Sequence, residues 1–222
     1  MTQGPEKIPV LCLSLDNVLT EGESLPKLVS FLKRYALLHG KFGLMKRVYV
    51  IQRRRNNQDI SQRRFKFELV RALRSIRNLH AVEDFVAKLL HSTKPLVKNK
   101  AEEIKARGGR IVVATSAAGE YAKKVAEYFG ADHCFCTPSF DEFRKIYPQD
   151  PIDYDECLGT EKVRRLQSWL DKIGGKLDTV ITGESDDLPL LTDMEAENRY
   201  VVAPSRQMRR SLKRRGIFFE TL

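Results

Sequence analysis

The sequence predicts an α/β fold in which helices cover both faces of a parallel sheet. In the second half of the chain, short apolar runs that end in small polar residues alternate with amphipathic helical patterns, and this alternation is typical of such a sheet. Another apolar run lies near the start, before a long helical stretch without clear strands. The chain has 222 residues, 42% of them hydrophobic, which is enough for one substantial core. We expect a core formed by residues 1–24 and 91–222 and a helical insert at residues 25–90.

The first predicted strand lies in the segment LCLSLDNVLT, residues 11–20. Its apolar residues give way to polar groups at Ser14, Asp16 and Asn17. This abrupt ending is typical of a buried strand in a parallel sheet, where ligands bind at the carboxyl ends of the strands. Ser14 and Asp16 have the same parity along the strand, so both are candidates for that crevice. The alternative is an ordinary turn, with Asp16 and Asn17 as turn residues.

Residues 25–90 carry four helical patterns. Pro26 suits the first turn of the first helix, in which apolar residues recur at three- and four-residue spacing until Gly40 interrupts them. The later patterns mix apolar residues with many cations. The expected helices span residues 26–39, 44–55, 60–76 and 84–90.

The remaining chain alternates helices and strands. Pro95 suits the first turn of one helix, which Gly108 and Gly109 end, and Gly130 closes another. The expected helices span residues 95–107, 120–129, 161–172 and 206–214, and the expected strands span residues 111–114, 133–136, 179–182 and 200–203. Residues 140–154 are rich in Asp and Pro and are expected to form a polar loop.

The formal net charge is +10. It indicates either an anionic partner, such as a phosphate ester, nucleic acid or a membrane surface, or a well-solvated surface, because 29 acidic residues are interleaved with the cations. The densest basic clusters are residues 53–55, 63–64, 209–210 and 213–215. A polyanion-binding module that uses these clusters is one alternative function. Aromatic residues do not alternate with the clusters as in single-strand readers, so we do not expect a nucleic-acid partner.

No apolar run approaches the ~20 residues that a membrane-spanning helix needs. The first ten residues lack the apolar stretch of a secretory signal, and the four cysteines show no disulfide-rich spacing, so we expect a cytoplasmic location. His133, Cys134 and Cys136 lie close together, but without a second ligand pair they are better explained as strand and core residues than as a metal site.

Four polar motifs follow one another along the chain. They carry Ser14 with Asp16, then Thr115, then Lys162, and then Asp186 with Asp187. The stretches IVVATSAAGEYAKKVAEYFGAD and SDDLPLLTDMEAENRYVVAP look like the second and fourth motifs of phosphoserine-phosphatase-like proteins. The order and spacing of all four motifs resemble the haloacid dehalogenase (HAD) superfamily. This resemblance implies a Rossmann-like sheet and a helical cap inserted after the first motif, where residues 25–90 lie.

The resemblance also implies a chemistry. The first motif of the family usually holds two aspartates, of which the first attacks phosphorus to form an aspartyl phosphate and the second serves as acid and base. Asp16 matches the acid and base. Thr115, with Ser116 beside it, matches the hydroxyl that binds a phosphoryl oxygen, and Lys162 matches the lysine that offsets negative charge.

The fourth motif of the family holds Mg²⁺, and the implied ligands in this chain are Asp16, Glu184 and Asp187. Two alignments of this motif are possible. Without a gap, Gly183 lies where the first metal-binding aspartate belongs. A one-residue gap aligns Gly183, Glu184 and Ser185 with the Gly-Asp-Ser of the family but shortens the spacing between the acids.

Ser14 lies at the position of the attacking aspartate. Serine has no carboxylate, so it can neither form an acyl phosphate nor bind Mg²⁺ as an anion. We therefore expect a HAD-like domain with impaired catalysis and weak or absent Mg²⁺ binding, which binds a small phosphorylated molecule. The alternative is an active Mg²⁺-dependent phosphohydrolase in which Glu184 supplies the metal ligand and Ser14 or a water attacks a small phosphate ester. Taken singly, Thr115 and Ser116 could be a helix N-cap and Lys162 a solvated lysine.

Overall fold

The computed structural model describes residues 7–76, 80–90, 94–146 and 156–222. Its strands are β1 (Ile8–Leu13), β2 (Arg110–Ala118), β3 (His133–Thr137), β4 (Gly175–Thr182), β5 (Asn198–Val201) and β6 (Glu220–Thr221). They form a single parallel sheet in the order β3-β2-β1-β4-β5-β6. The predicted fold class is therefore confirmed. The two-residue strand β6 was not predicted, because it is too short to show an alternating pattern.

Side chains of the central strand β1 alternate between the two faces of the sheet. Leu11 and Leu13 join one hydrophobic cluster, while Val10 and Cys12 join another on the opposite face. All four side chains are fully buried. Burial on both faces explains why the sequence of β1 is continuously apolar rather than alternating.

The α-helices in the described residues are α1 (Ser24–Leu38), α2 (Phe42–Asn56), α3 (Gln62–Arg74), α4 (Ala81–Leu89), α5 (Pro95–Ala106), α6 (Gly119–Phe129), α7 (Phe140–Ile146), α8 (Gly159–Ile173), α9 (Leu188–Thr192) and α10 (Arg206–Arg214). The eight predicted helices are all present, with ends shifted by a few residues. The short helices α7 and α9 were not predicted.

Helices α1 to α4 all lie between β1 and β2 in the chain. Leu28 of α1, Leu69 of α3 and Phe85 of α4 pack in the same hydrophobic cluster as Leu11 and Leu13 of β1. The helical stretch therefore shares its core with one face of the sheet. The division into a core and a cap at residues 25–90 stays a prediction.

The segment expected to form a polar loop contains a helix. Residues 140–146 form α7, whose start is held by Glu120, because the backbone N–H of Phe140 donates a 2.5 Å hydrogen bond to its Oε1. Phe140 also stacks on Phe67 of α3, with ring centroids 5.5 Å apart. These tertiary contacts stabilise a helix of seven residues whose own sequence carries a weak signal. Residues 147–154 of the predicted loop lie outside the described residues.

The strand order places a topological switch point between β1 and β4. From β1 the chain moves to β2 and β3 on one side, then crosses to β4 and β5 on the other. The loops that leave β1 and β4 therefore diverge and open a crevice at the carboxyl ends of these two strands. Ser14 and Gly183 are the first residues after the two strands.

Two sequence expectations concern membranes and cysteines. Among the described residues, the structure contains no helix that is both long and apolar enough to span a bilayer. All four cysteines are free thiols, and Cys12 is buried in β1 as expected. Cys134 and Cys136 lie on β3 next to His133, which stacks on Trp169 at 5.7 Å between ring centroids.

Gly109 precedes β2 at a point where the backbone is too crowded for a side chain. A Cβ atom there would lie 2.5 Å from the carbonyl oxygen of Pro9 and 2.6 Å from Cγ2 of Ile104. We expect Gly109→Ala to lower the free energy of unfolding by ~1–3 kcal/mol, because backbone of β1 and α5 must shift. Urea unfolding followed by circular dichroism measures this.

Gly43→Ala is the matched control for this substitution. Gly43 lies in the first turn of α2 with nothing within 4 Å of an added Cβ. There alanine should leave stability unchanged or raise it by up to ~1 kcal/mol, since it favours the helix. Equal effects of the two substitutions would contradict the crowding at Gly109.

Candidate active site

The turn after β1 packs against the residue that follows β4 and is hydrogen-bonded to it. Asn17 adopts a left-handed backbone conformation with φ of 65°, and its side-chain amide donates a 3.2 Å hydrogen bond to the carbonyl oxygen of Gly183. A Cβ on Gly183 would lie 2.6 Å from Cβ of Asn17 and 3.0 Å from the carbonyl oxygen of Asp16. Position 183 therefore has no room for a side chain, and the carboxylate at this turn comes from Glu184.

Ser14 lies beneath this turn with 1% of its surface exposed. Its backbone N–H continues the sheet by donating to the carbonyl oxygen of Ile181 at 3.0 Å. Its hydroxyl donates to Oδ2 of Asp187, and the hydroxyl of Thr182, 3.1 Å away, donates to the same oxygen. The serine hydroxyl is thus a hydrogen-bond donor to a buried carboxylate.

Asp187 and Lys162 form an ion pair with both side chains completely buried. The ammonium group of Lys162 donates to Oδ1 of Asp187, the oxygen that Ser14 and Thr182 leave free. Lys162 Nζ also lies 3.5 Å from Oδ2 of Asp186 and 3.8 Å from Oε2 of Glu184. Burial alone would lower the pKa of Lys162, but the charges of these three carboxylates outweigh it and hold the pKa above its usual range, so the lysine stays protonated.

A cavity of about 470 Å³ opens above this ion pair at the carboxyl ends of β1 and β4. Five carboxylates and one ammonium group line it: Asp16, Glu23, Glu156, Glu184, Asp186 and Lys66. The walls therefore carry a formal charge of about −4 when all six groups are ionised. Such a cavity attracts cations and repels a free phosphate dianion.

Asp16 lines the cavity but is only 8% exposed. Its Oδ1 accepts a 3.0 Å hydrogen bond from the backbone N–H of Ser24 at the start of α1. Burial raises the pKa of Asp16 to about 6, although the hydrogen bonds from Ser24 and the charge of Lys162 oppose the shift. A carboxyl group with this pKa can exchange a proton near neutral pH, as an acid and base must.

Glu184 and Asp186 carry oxygens that find no hydrogen-bond donor within the described structure. These atoms are Oε1 of Glu184 and Oδ2 of Asp186, and both are buried. Burial also raises the pKa of Glu184 well above its usual range; Lys162 opposes this rise, while nearby carboxylates add to it. Ligand oxygens of Glu184, Asp186 and Asp187 lie within 4.8 Å of one another, a donor set of the type that Mg²⁺ prefers.

The other predicted phosphate-binding residues, Thr115 and Ser116, lie within the last four residues of β2. Thr115 is completely buried, and its hydroxyl accepts a 3.1 Å hydrogen bond from the backbone N–H of Ala117. Ser116 and Ala117 line the cavity, whereas Thr115 is not among its described lining residues. The structure thus gathers Ser14, Lys162 and Asp187 in direct contact beneath the cavity and places Asp16, Ser116 and Glu184 on its wall.

Lys66 is a residue that sequence reasoning missed. It extends from α3 to the cavity, where its ammonium donates to the carbonyl oxygen of Ser116 and lies 2.8 Å from Oε1 of Glu156. The side chain is 8% exposed, although the residue belongs to a run of basic residues on a helix. Only the packing of α3 against the sheet reveals its position, because neighbouring arginines and lysines give the same local signal.

A second cavity, of about 620 Å³, lies at the amino-terminal ends of β1 and β4. Both of its acidic groups are paired with a cation, Asp178 with Arg107 at 2.8 Å and Glu197 with Lys176 at 2.6 Å. It lies away from the switch point, and among the described residues its lining has no buried carboxylate oxygen that lacks a hydrogen-bond donor, as the first cavity has. We therefore take the cavity above Lys162 as the candidate functional site.

Comparisons with known proteins identify the family and the fold. The family model of haloacid dehalogenase-like hydrolases matches residues 15–192. A protein of unknown function from Bordetella pertussis Tohama I is 17% identical with a TM-score of 0.74, and the alignment covers 97% of this chain and 99% of that one. A search of curated protein sequences gave no match.

Two phosphatase structures share the fold. A probable phosphoserine phosphatase from Vibrio cholerae has a TM-score of 0.65 at 10% identity, and the alignment covers 91% of this chain and 58% of that chain. A substrate-bound phosphoserine phosphatase has a TM-score of 0.59 at 14% identity, with 92% and 90% covered. At these identities the likeness concerns the fold alone.

Lys162→Met tests the buried ion pair. The substitution leaves Asp187 as a buried carboxylate without a cation, so we expect the free energy of unfolding to fall by ~3–5 kcal/mol. Lys172→Met makes the same chemical change on an exposed residue of the same helix, α8, and should cost less than ~0.5 kcal/mol. Urea unfolding of both variants, and of Lys162→Met/Asp187→Asn, measures the difference. Loss of stability in the double variant as large as in Lys162→Met would contradict the ion-pair explanation.

The raised pKa of Asp16 makes stability depend on pH. The folded protein binds this proton more tightly than the unfolded chain, in which the value is near 3.8, so the contribution of Asp16 is fully present below pH 3.8 and is lost as pH rises through about 6. Asp16→Asn keeps the acceptor for Ser24 without the charge. The stability of wild type relative to this variant should fall by about 2 kcal/mol from about pH 4.5 to about pH 7.5. Urea unfolding in EDTA measures it, and a difference that does not change with pH would refute the shift.

Proposed function

This chain belongs to the haloacid dehalogenase-like hydrolase family, and from this premise we propose that it binds a small phosphorylated molecule but has lost most of the phosphoryl-transfer activity of the family. The observation that carries the proposal is the hydroxyl of Ser14, which occupies the end of β1 and donates to Asp187. Two further features support the proposal: the ammonium group of Lys162 is bound to Asp187, and the residues that line the cavity are mostly acidic.

Ser14 is poorly suited to attack phosphorus. A serine hydroxyl must lose its proton to become a nucleophile, and here that proton is directed at Asp187, whose other oxygen is bound to Lys162. A phosphoserine would also be a poorer leaving group than an acyl phosphate in the second half of the reaction. The side chain is covered, with 1% exposure, so a phosphoryl group does not reach it without rearrangement.

Lys162 is bound to Asp187 and is therefore not directed at a ligand in the cavity. A lysine that balances charge on a phosphoryl group must point toward it, whereas this ammonium group is completely buried against Asp187. It also compensates part of the charge of Glu184 and Asp186. The cation among the described residues that line the cavity is therefore Lys66 on the helical segment, which is paired with Glu156, and not Lys162.

Mg²⁺, which the family generally uses, fits this site only in part. The oxygen donors of Glu184 and Asp186 are suitable, and one buried oxygen of each finds no hydrogen-bond donor within the described chain. Asp187, however, already accepts three hydrogen bonds, and the Lys162 ammonium lies within 4 Å of all three carboxylates. We propose that Glu184, Asp186 and Asp16 would hold the ion, weakly, and that it would supply the positive charge that a phosphate group needs in this cavity.

The proposed ligand is a small phosphorylated molecule because of the shape and position of the cavity. Its wall includes Ser116 and Ala117 at the end of β2, together with the ammonium of Lys66, which are suitable hydrogen-bond and charge partners for phosphate oxygens. Helix α1, which begins at Ser24, and α3, which carries Lys66, close the cavity on the side away from the sheet. These helices would contact the part of the ligand beyond the phosphate.

A water-attacking phosphohydrolase is the second candidate, and the environment of Asp16 favours it. This carboxyl group lines the cavity with a pKa of about 6, close to the value of an effective general base at neutral pH. In that case Asp16 would activate a water, and Ser14 would contribute only a hydrogen bond to Asp187.

A phosphatase assay separates the two candidates. The wild-type protein is incubated with Mg²⁺ and p-nitrophenyl phosphate, O-phosphoserine, and a panel of sugar and nucleoside phosphates, and the released phosphate is measured. We expect no turnover above buffer, because no described carboxylate stands at the nucleophile position. Ser14→Asp restores that carboxylate and should give Mg²⁺-dependent phosphate release at least ~10-fold above the buffer background, with Ser14→Asp/Asp16→Asn inactive.

The controls distinguish impairment from a changed mechanism. Turnover in the wild type that survives Ser14→Ala but disappears in Asp16→Asn would establish the water-attacking alternative and overturn the proposed impairment. Binding of O-phosphoserine is measured in parallel by calorimetry with and without Mg²⁺. Binding that needs Mg²⁺ and weakens in Lys66→Met supports the phosphate pocket, and heat identical to buffer for every phosphorylated compound would remove it.

A further inference from the structure

The positive charge of this protein is concentrated in one segment. Residues 24–58 contain nine lysines and arginines and no acidic residue, whereas the rest of the chain has 30 cations and 29 acids. The segment forms α1, α2 and the turns next to them. Almost the whole net charge of +10 therefore lies on this helical pair and not around the acidic cavity.

Large apolar side chains are exposed on the same helical pair. Leu37 and Leu38 at the end of α1 are 67% and 68% exposed, and Phe42 at the start of α2 is 75% exposed. Tyr49 follows on α2 with 61% exposure. Only residues 39–41 separate the two helices, so Leu37, Leu38 and Phe42 lie close together. We define the α1–α2 surface as the six residues Leu37, Leu38, Phe42, Lys46, Tyr49 and Arg53.

Apolar and basic residues alternate along one stripe of α2. Phe42, Lys46, Tyr49 and Arg53 follow one another at spacings of four, three and four residues, so they share the exposed face of the helix. Val48 and Ile51 face the core on the other side. Within the described part of the chain, Lys46 and Arg53 have no carboxylate within ion-pair distance. Their charges are therefore available to an external partner.

We propose that the α1–α2 surface binds the anionic surface of a lipid bilayer. Leucine and phenylalanine side chains can enter the boundary between headgroups and acyl chains, a tyrosine suits the headgroup level, and adjacent lysines and arginines attract anionic lipids. A nucleic acid would use the cations but would leave Leu37 and Leu38 exposed to water. An amphipathic surface of this composition fits peripheral attachment to a bilayer.

The α1–α2 surface is separate from the cavity. Helix α1 begins at Ser24, which lines the cavity, and ends about 20 Å away at Leu38, because a helix rises 1.5 Å per residue. Attachment through this end leaves the cavity uncovered. The proposed membrane attachment can therefore be tested independently of the proposed binding of a phosphorylated molecule in the cavity.

Vesicle co-sedimentation tests the inference on the full chain. Vesicles of phosphatidylcholine with about 30% phosphatidylserine should pellet the protein at ~50 mM salt, whereas vesicles of phosphatidylcholine alone should not, and ~0.5 M salt should release it. Lys46→Gln/Arg53→Gln should lower the partition coefficient about 25-fold, at roughly fivefold for each cation. Leu38→Ser/Phe42→Ser should lower it at least ~10-fold through lost apolar contact.

Matched controls make the same changes elsewhere. Arg210→Gln/Arg214→Gln removes two exposed cations from α10, and Phe218→Ser removes an aromatic residue that is 82% exposed. These variants should bind anionic vesicles as the wild type does, and circular dichroism checks that all variants are folded. Failure to pellet with anionic vesicles at low salt would overturn the proposal, as would equal losses in the control variants. So would tighter binding to a duplex oligonucleotide that Leu38→Ser/Phe42→Ser leaves unchanged.

Discussion

The buried carboxylate of Asp187 is the constraint on which the rest of the site depends. It lies under the sheet's carboxyl edge without access to water, so its charge requires a cation and its oxygens require donors. Lys162 supplies the cation, and the hydroxyls of Ser14 and Thr182 supply the other two hydrogen bonds. A carboxylate at position 14 would instead face Asp187 at contact distance. The hydroxyl of Ser14 and the ammonium group of Lys162 are therefore two parts of one electrostatic arrangement around Asp187.

This arrangement determines the chemistry of the cavity above it. Because the ammonium group of Lys162 is hydrogen-bonded to Asp187, it lies 3.5–3.8 Å from the nearest carboxylate oxygens of Asp186 and Glu184. One oxygen of each of these two carboxylates therefore has no hydrogen-bond donor in the described chain. Asp16 is buried beside these carboxylates, and its pKa is raised to about 6. The cavity thus combines a proton-exchanging group with cation-attracting walls, while the hydroxyl of Ser14 beneath it donates a hydrogen bond to Asp187.

Much of the fold and part of the site could be predicted from the sequence, for identifiable reasons. The continuous apolar run of β1 predicts a buried strand. The residues that follow it, Ser14 and Asp16, lie at the crevice because the carboxyl ends of the strands in a parallel sheet share one edge. The Asn17–Gly183 contact and the position of Lys66 are different. They depend on how segments more than 40 residues apart pack together, and no local pattern distinguishes Lys66 from the solvated lysines and arginines around it.

The location of the charge changes what the basic composition means. A net charge of +10 suggests attraction of phosphate esters, yet the cavity is lined by five acids and one lysine. The excess of cations lies instead on residues 24–58, where exposed leucine and aromatic side chains accompany it. Solubility alone would explain scattered cations, but it does not explain their segregation with apolar groups, since exposed apolar area opposes solubility. The composition therefore reflects two surfaces of opposite chemistry at the two ends of α1, an acidic cavity that attracts cations and a basic, apolar face suited to an anionic interface.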